Sequence, residues 1–206
     1  MKKRKAFYVI VEGIDGSGKS TLCKNLEQFL TKVGHDVVQT KEPTDRKWGA
    51  EIRHRATTPG ESMTLEEEID LFVKDRRDHM DNLIKPSLEK KCIILQDRSF
   101  ISVGYQSSHK DSTRTTKELL ELNSFAEKPD LVILLDISVD KAMERITSER
   151  ATDDFENKDR LTKVREAYLE TAEYLKPQFP IVTINGDMQE LTLKNMVANL
   201  ICNHIS

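Results

Sequence analysis

One eight-residue segment constrains the fold of this chain more than any other feature of its sequence. Residues 13–20 read GIDGSGKS and match the pattern G-x-x-x-x-G-K-[ST] at every fixed position. The segment follows the apolar run at residues 7–11, and apolar residues at helical spacing follow it as far as Val33. This order of strand, glycine-rich turn and helix predicts a phosphate-binding loop rather than an ordinary turn with a solvated lysine.

The residue types of this loop suit the phosphates of a nucleoside triphosphate. Glycines let backbone N–H groups turn inward around phosphate oxygens, and the following helix adds the positive end of its dipole. Lys19 is expected to reach the β- and γ-phosphates, Ser20 to ligate Mg²⁺ and Thr21 to contact the α-phosphate. The predicted ligands of the loop are therefore a nucleoside triphosphate and Mg²⁺. GTP is disfavoured, because residues 157–160 read NKDR without the acid of N-K-x-D and no apolar strand is followed by D-x-x-G. With ATP as the nucleotide, the predicted binding residues of the loop are Gly13, Asp15, Gly16, Ser17, Gly18, Lys19, Ser20 and Thr21.

Short apolar runs alternate with helical patterns along the rest of the chain. Five such alternations predict an α/β fold with a five-stranded parallel sheet and helices on both faces. Residues 44–63 are predicted to be irregular, and one long helical pattern runs from Leu65 to Ile84 and meets Pro86. No linker or internal repeat interrupts the pattern, so residues 1–206 are expected to form a single domain.

Composition excludes several classes of function. A net charge of -3 and a pI near 6.0 provide no overall basic field, so no nucleic-acid partner is expected. The apolar stretch at residues 6–11 is too short for a secretion signal or a membrane span, so we expect a cytoplasmic protein without a membrane partner. The three cysteines have no metal-ligand spacing and are expected to be reduced.

A second carboxylate and several arginines point to phosphoryl transfer. The strand at residues 92–95 leads to Asp97 and Arg98, which should lie beside the phosphate loop at the carboxyl edge of the sheet. Asp97 is expected to hold the hydrated Mg²⁺ or orient the acceptor phosphate, and Arg98 to bind that phosphate. Cations are needed where two anionic phosphates meet, and the candidate arginines are Arg53, Arg76, Arg98, Arg145 and Arg150. Taken singly, each of these also fits a surface role.

The chain resembles thymidylate kinases, a family of P-loop nucleoside monophosphate kinases, over residues 7–174. The phosphate loop is similar to the family's opening motif, and Glu42-Pro43 with Arg53 is similar to its second motif. The nucleoside-binding helix of the family resembles residues 71–76, and its D-R motif resembles residues 97–99. The resemblance implies the three-layer P-loop NTPase fold with a small mobile lid, transfer of the ATP γ-phosphoryl group to dTMP, and a homodimer.

The resemblance also implies roles for individual residues. Phe72 would stack on thymine, Arg76 would donate to a thymine carbonyl, and Ser102 and Gln106 would line the base pocket. Tyr105 would crowd the 2′ position of the sugar. The remaining implied roles are Asp15 near the 3′-hydroxyl, Arg53 and Arg98 on the monophosphate, and Arg145 against adenine.

The lid implied by the resemblance covers about residues 147–158. Family lids commonly read D-R-F-E, whereas here Asp154 stands where that arginine belongs, so Arg150 is the predicted lid cation. The predicted catalytic residues are thus Lys19, Asp97, Arg98 and Arg150, with Ser20 and Asp97 as metal ligands. Two alternatives remain open: a kinase of the same fold acting on another nucleotide or nucleoside, and a P-loop nucleotide-binding protein without catalysis.

Overall fold

The computed structural model describes residues 5–61, 63–107, 114–149 and 157–205. Its centre is a five-stranded sheet in which every pairing is parallel and the strand order is β2-β3-β1-β4-β5. The strands are β1 Phe7–Glu12, β2 Val37–Lys41, β3 Ile93–Asp97, β4 Leu131–Asp136 and β5 Ile181–Asn185. The predicted fold class is confirmed.

Alternate residues of the central strand pack against different helical layers. Phe7, Val9 and Val11 join the cluster formed with α1 and α9, whereas Tyr8 and Ile10 join the cluster on the opposite face. Because both faces are covered by apolar side chains, β1 is buried along its whole length. The helices are α1 Lys19–Lys32, α2 Lys47–Thr57, α3 Leu65–His79, α4 Lys85–Glu89, α5 Gly104–Ser107, α6 Thr116–Leu122, α7 Val139–Glu149, α8 Lys158–Leu175 and α9 Glu190–Ile205.

The register of the sheet places the carboxyl ends of β1 and β3 side by side. Val11 is paired with Asp97, and the N–H of Arg98 donates to the Val11 carbonyl at 3.0 Å. Because the two strands are adjacent and parallel, the turn after β1 lies directly beside Asp97 and Arg98. Among the helices described, none combines the length and the apolar character that crossing a bilayer requires.

Two expectations about helices were wrong. Residues 47–57, predicted to be irregular, form α2, because Gly49, Ile52 and Ala56 bury one face at helical spacing while the other positions are polar. The helical path from Leu65 also does not stop near Pro86. A π-helical turn, Met80–Ile84, lies between α3 and α4, and the Lys85 N–H donates to the carbonyl of Met80 five residues earlier. This wider turn relieves the clash of the proline ring with the preceding turn.

Gly49 allows α2 to approach the loop after β2, and we expect Gly49→Ala to destabilise the protein. A Cβ at this position would lie 2.0 Å from the Thr44 carbonyl oxygen. That loop cannot move freely, because the Thr44 N–H donates to Asp75 Oδ2 at 2.8 Å. We expect a loss of about 3 kcal/mol in the free energy of unfolding, measured by urea denaturation. The exposed neighbour provides the control, since Ala50→Gly should cost only about 1 kcal/mol. Equal or greater stability of Gly49→Ala would contradict this packing.

Candidate active site

The phosphate loop is held tightly against the edge of the sheet. Gly13 has φ 143° and Gly16 has φ 74°, and a Cβ on either would lie 2.5 Å from a backbone carbonyl oxygen. Lys19 is buried, and its Nζ donates to the Ile14 carbonyl at 2.9 Å. Within the part of the chain that the structure describes, the buried Ser17 Oγ has no hydrogen-bond partner. The loop conformation that the two glycines allow suits phosphate oxygens, which accept hydrogen bonds from backbone N–H groups.

Two oxygen donors lie together between the loop and β3. Ser20 Oγ donates to Asp97 Oδ2 at 2.5 Å, while Asp97 Oδ1 is buried without a partner among the described residues. The same residues contain no group of three or more His, Cys, Asp or Glu side chains placed to hold a metal. This donor set suits Mg²⁺, which takes one or two protein oxygens and completes its octahedron with water and substrate phosphates.

Arg98 joins the phosphate loop to the opposite wall of the cavity. Its guanidinium forms an ion pair with Asp15, donates to the Tyr105 hydroxyl at 2.9 Å and donates to the Tyr168 hydroxyl at 3.2 Å. Burial raises the pKa of Asp15, but the charges of Arg98 and Lys19 outweigh burial and lower it to about 2. Arg98 itself has φ 67°, a left-handed backbone conformation that a side chain other than glycine adopts only at a cost.

Glu12, the last residue of β1, stabilises the side chains around Arg98 through buried hydrogen bonds. It is fully buried and accepts hydrogen bonds from Ser99 Oγ at 2.7 Å, Ser102 Oγ at 2.8 Å and the Tyr168 hydroxyl at 2.9 Å. Burial raises the pKa of its carboxyl, although these three hydrogen bonds lower it. Sequence reasoning assigned no role to Glu12. The available signal for a buried role was its position, a charged residue directly after five apolar residues of a strand.

A second buried network fixes Arg76 on α3. Its guanidinium pairs with Glu42 at 2.6 Å and donates to the side-chain oxygen of Asn123. Glu42 also contacts His79 Nδ1 at 3.0 Å and accepts from Gln96 Nε2 at 3.1 Å. Burial raises the pKa of Glu42, but the interactions with Arg76 and His79 lower it by more, so the pKa is lowered overall. Glu42 was singled out only as part of a family motif and Asn123 was not singled out, because their partners are distant in sequence.

A cavity of about 740 Å³ connects these groups, a size typical of ligand sites. All the predicted acceptor-site residues line it, and so do Lys19, Ser20 and Asp97. The acceptor-site residues are Asp15, Arg53, Phe72, Arg76, Arg98, Ser102, Tyr105 and Gln106.

Outside residues 13–20, the predicted site residues Thr21 and Arg145 are not among the described residues that line this cavity. Arg145 lies behind the loop and donates to the carbonyls of Gly16 and Gly186 at 3.2 Å each. Thr21 is exposed on α1. Of the predicted lid, residues 147–149 end α7 and Lys158 begins α8, whereas Arg150 falls outside the described residues.

A phosphate loop, a carboxylate beside it and a cationic cavity at the same edge of a parallel sheet define a P-loop nucleotide kinase. A family model described as Thymidylate kinase matches residues 11–194. The chain belongs to the thymidylate kinase family, whose members are ATP-dependent phosphotransferases.

Individual relatives agree with this assignment. A probable thymidylate kinase of Thermococcus kodakarensis is 39% identical over 203 residues, which cover 94% of this chain and 96% of that protein. A thymidylate kinase of Desulfotalea psychrophila is 42% identical over 159 residues, covering 76% of this chain and 77% of that protein. A thymidylate kinase of Xanthomonas oryzae pv. oryzae is 40% identical over 159 residues, covering 76% and 68% respectively.

Proposed function

We propose that this protein transfers the γ-phosphoryl group of ATP to dTMP, giving dTDP and ADP. The observation that carries the proposal is the contact between the donor loop and the acceptor wall. Ser20 of the loop touches Asp97, and Asp15 of the loop pairs with Arg98. A monophosphate in the cavity that Arg98 lines therefore meets the end of a triphosphate held by residues 13–20.

On the donor side, the proposed contacts follow from the loop. Backbone N–H groups of residues 13–20 and the N-terminus of α1 would hold the phosphates, with Lys19 on the β- and γ-phosphates. Arg145, directly behind Gly16, would lie against adenine. Ser20 and Asp97 would hold Mg²⁺, which when bound neutralises the charge of the phosphate oxygens.

On the acceptor side, arginines at two points of the cavity would hold the monophosphate. Arg98 is already fixed by Asp15, whereas Arg53 pairs with the exposed Asp45 at 3.1 Å and donates to the Pro43 carbonyl at 2.8 Å. An incoming phosphate would replace Asp45 as the partner of Arg53, because a phosphate dianion attracts a guanidinium more strongly than an exposed carboxylate does.

The base and sugar would be held at the α3 end of the cavity. Phe72 is half-buried and offers a flat ring for stacking, while the network of Glu42 and Asn123 holds Arg76 ready to donate to a thymine carbonyl. The Tyr105 hydroxyl is fixed by Asp15 at 2.8 Å and would crowd a ribose 2′-hydroxyl.

A panel of monophosphates in a coupled assay for ADP tests the proposal. We expect dTMP to be turned over with the highest kcat/KM among dTMP, dCMP, UMP and dGMP. Equal or better turnover of another acceptor would favour a kinase of the same fold with a different substrate. ATP binding without turnover of any acceptor would favour the non-catalytic alternative.

Phe72→Ala should raise the KM for dTMP about tenfold or more while the KM for ATP stays the same. Removing the ring eliminates stacking, which contributes about 1–3 kcal/mol per base in comparable sites. Initial rates at varied dTMP and fixed saturating ATP measure the effect. The half-buried Val73, which packs beside Leu65 and Ile69, provides a control, since Val73→Ala should leave the KM for dTMP unchanged. An unchanged KM in Phe72→Ala would remove Phe72 from the base site.

Three further expectations belong to the same proposal. The lid would close over ATP and exclude water from the site, and Arg150 would be its cation. The protein would act as a homodimer, as the family resemblance implies, and would work in the cytoplasm.

A further inference from the structure

A buried carboxylate on α3 determines which end of the Gln106 amide is left for the cavity. Glu68 is 2% exposed, and its Oε1 accepts from Gln106 Nε2 at 3.0 Å. Because an ionised carboxylate can only accept, the nitrogen of the amide must face Glu68. No hydrogen bond to Gln106 Oε1 is found within the described residues, and this atom is not sealed in the interior. The oxygen is therefore the atom that Gln106 offers to a ligand.

Arg160 places a positive charge beside this carboxylate. In the first turn of α8, its Nη2 lies 3.3 Å from Glu68 Oε2 and donates to the Tyr105 carbonyl at 2.9 Å. A carboxyl buried without a cation would take up a proton and would then be able to donate to the amide oxygen. That would allow the Gln106 amide to reverse and turn its nitrogen toward the cavity, whereas a carboxylate beside Arg160 accepts only from the nitrogen.

An acceptor oxygen at this position distinguishes pyrimidines. Thymine carries a hydrogen on N3, which can donate to an acceptor, whereas cytosine has a bare lone pair on N3. An amide oxygen facing this edge would bind thymine and repel cytosine, and a reversed amide would do the opposite. Resting on the proposed function, we propose that Glu68, in its ion pair with Arg160, is a positioning residue that selects dTMP over dCMP by fixing the orientation of Gln106.

A double-mutant cycle tests this proposal with the 206-residue protein and ATP. The readout is the ratio of kcat/KM for dTMP to kcat/KM for dCMP. In Glu68→Gln, an amide that can both donate and accept replaces the carboxylate, so Gln106 adopts both orientations and the ratio should fall about tenfold. In the Gln106→Leu background, the same Glu68→Gln change should have no further effect, because its target is gone. Glu66→Gln, which removes an exposed charge from the same helix, should leave the ratio unchanged.

The outcomes separate cleanly. An unchanged ratio in Glu68→Gln overturns the proposal, and so does an equal drop in the Gln106→Leu background, because that drop would indicate general structural damage. If Glu68→Gln does not fold, Arg160→Gln and Gln106→Leu decide: each should lose about tenfold in the ratio, and retention of the wild-type ratio by either overturns the proposal. A failure of the proposed function would instead appear in the wild-type enzyme, as poor turnover of dTMP.

Discussion

Lys19→Ala is expected to lower kcat at least about a thousandfold while the protein stays folded. Lys19 is 5% exposed at the floor of the phosphate loop, and its ammonium lies between the groups that would hold the two nucleotides. We expect its charge to act mainly on the transition state, where negative charge spreads over the transferred group and the leaving oxygen. Within the described residues, the folded state loses one hydrogen bond of this side chain, the one to the Ile14 carbonyl, which costs about 1 kcal/mol, and the attraction between this ammonium and Asp15.

Steady-state kinetics with dTMP and ATP, together with a thermal melt, measure both parts of this expectation. Lys24→Ala is the matched control, because Lys24 is an exposed lysine on the same helix, and it should behave as the wild type. A Lys19→Ala enzyme that keeps a tenth or more of wild-type kcat would show that this lysine does not act in the transfer step.

Arg98→Ala is expected to lower kcat/KM for dTMP by about a thousandfold and also to destabilise the protein. The guanidinium binds Asp15 and the hydroxyls of Tyr105 and Tyr168, so its loss removes the proposed phosphate contact and also leaves a carboxylate unpaired. Arg98→Lys should recover only part of the activity, because a lysine cannot bridge a carboxylate and a phosphate with a planar fork.

The stability part of this prediction depends on pH in a definite direction. In the wild type the pKa of Asp15 is lowered from 3.8 to about 2. The ionised form therefore contributes about 2 kcal/mol of stability above pH 4, and this contribution is lost as the pH falls through 2. Since Arg98→Ala removes the main cause, the difference in free energy of unfolding between the two proteins should be largest above pH 4 and should shrink toward pH 2. A difference that does not change with pH would mean that Asp15 is not held by Arg98.

Local patterns were sufficient for the fold class, and they are the basis of the proposed donor half of the site. The phosphate loop and the strand–helix alternation depend on neighbours in sequence, and these features were predicted from residues 13–20 and from the apolar runs. α2 was missed because a glycine is normally evidence against a helix, whereas Gly49 is needed for its contact with Thr44. Nothing in the local sequence marks Gly49 as a packing position.

The supporting carboxylates were missed for a different reason. Glu12, Glu42 and Glu68 are buried by partners that are 34 or more residues away in sequence. Glu12 ends an apolar strand and Glu42 belongs to a family motif, but the local sequence names no partner for any of the three until the sheet and helices bring those partners together. The structure supplies these pairings, and with them a physical reason why Arg76, Arg98 and Gln106 each have a fixed orientation.

The central claim is that one cavity holds two nucleotides with their phosphates end to end. A dinucleotide in which adenosine and thymidine are joined 5′-to-5′ by five phosphates would occupy both halves at once, and inhibition kinetics measure how it competes. The account predicts competitive inhibition against both ATP and dTMP, with an affinity well above that of either substrate. Competition with ATP alone, with dTMP still able to bind, would contradict it.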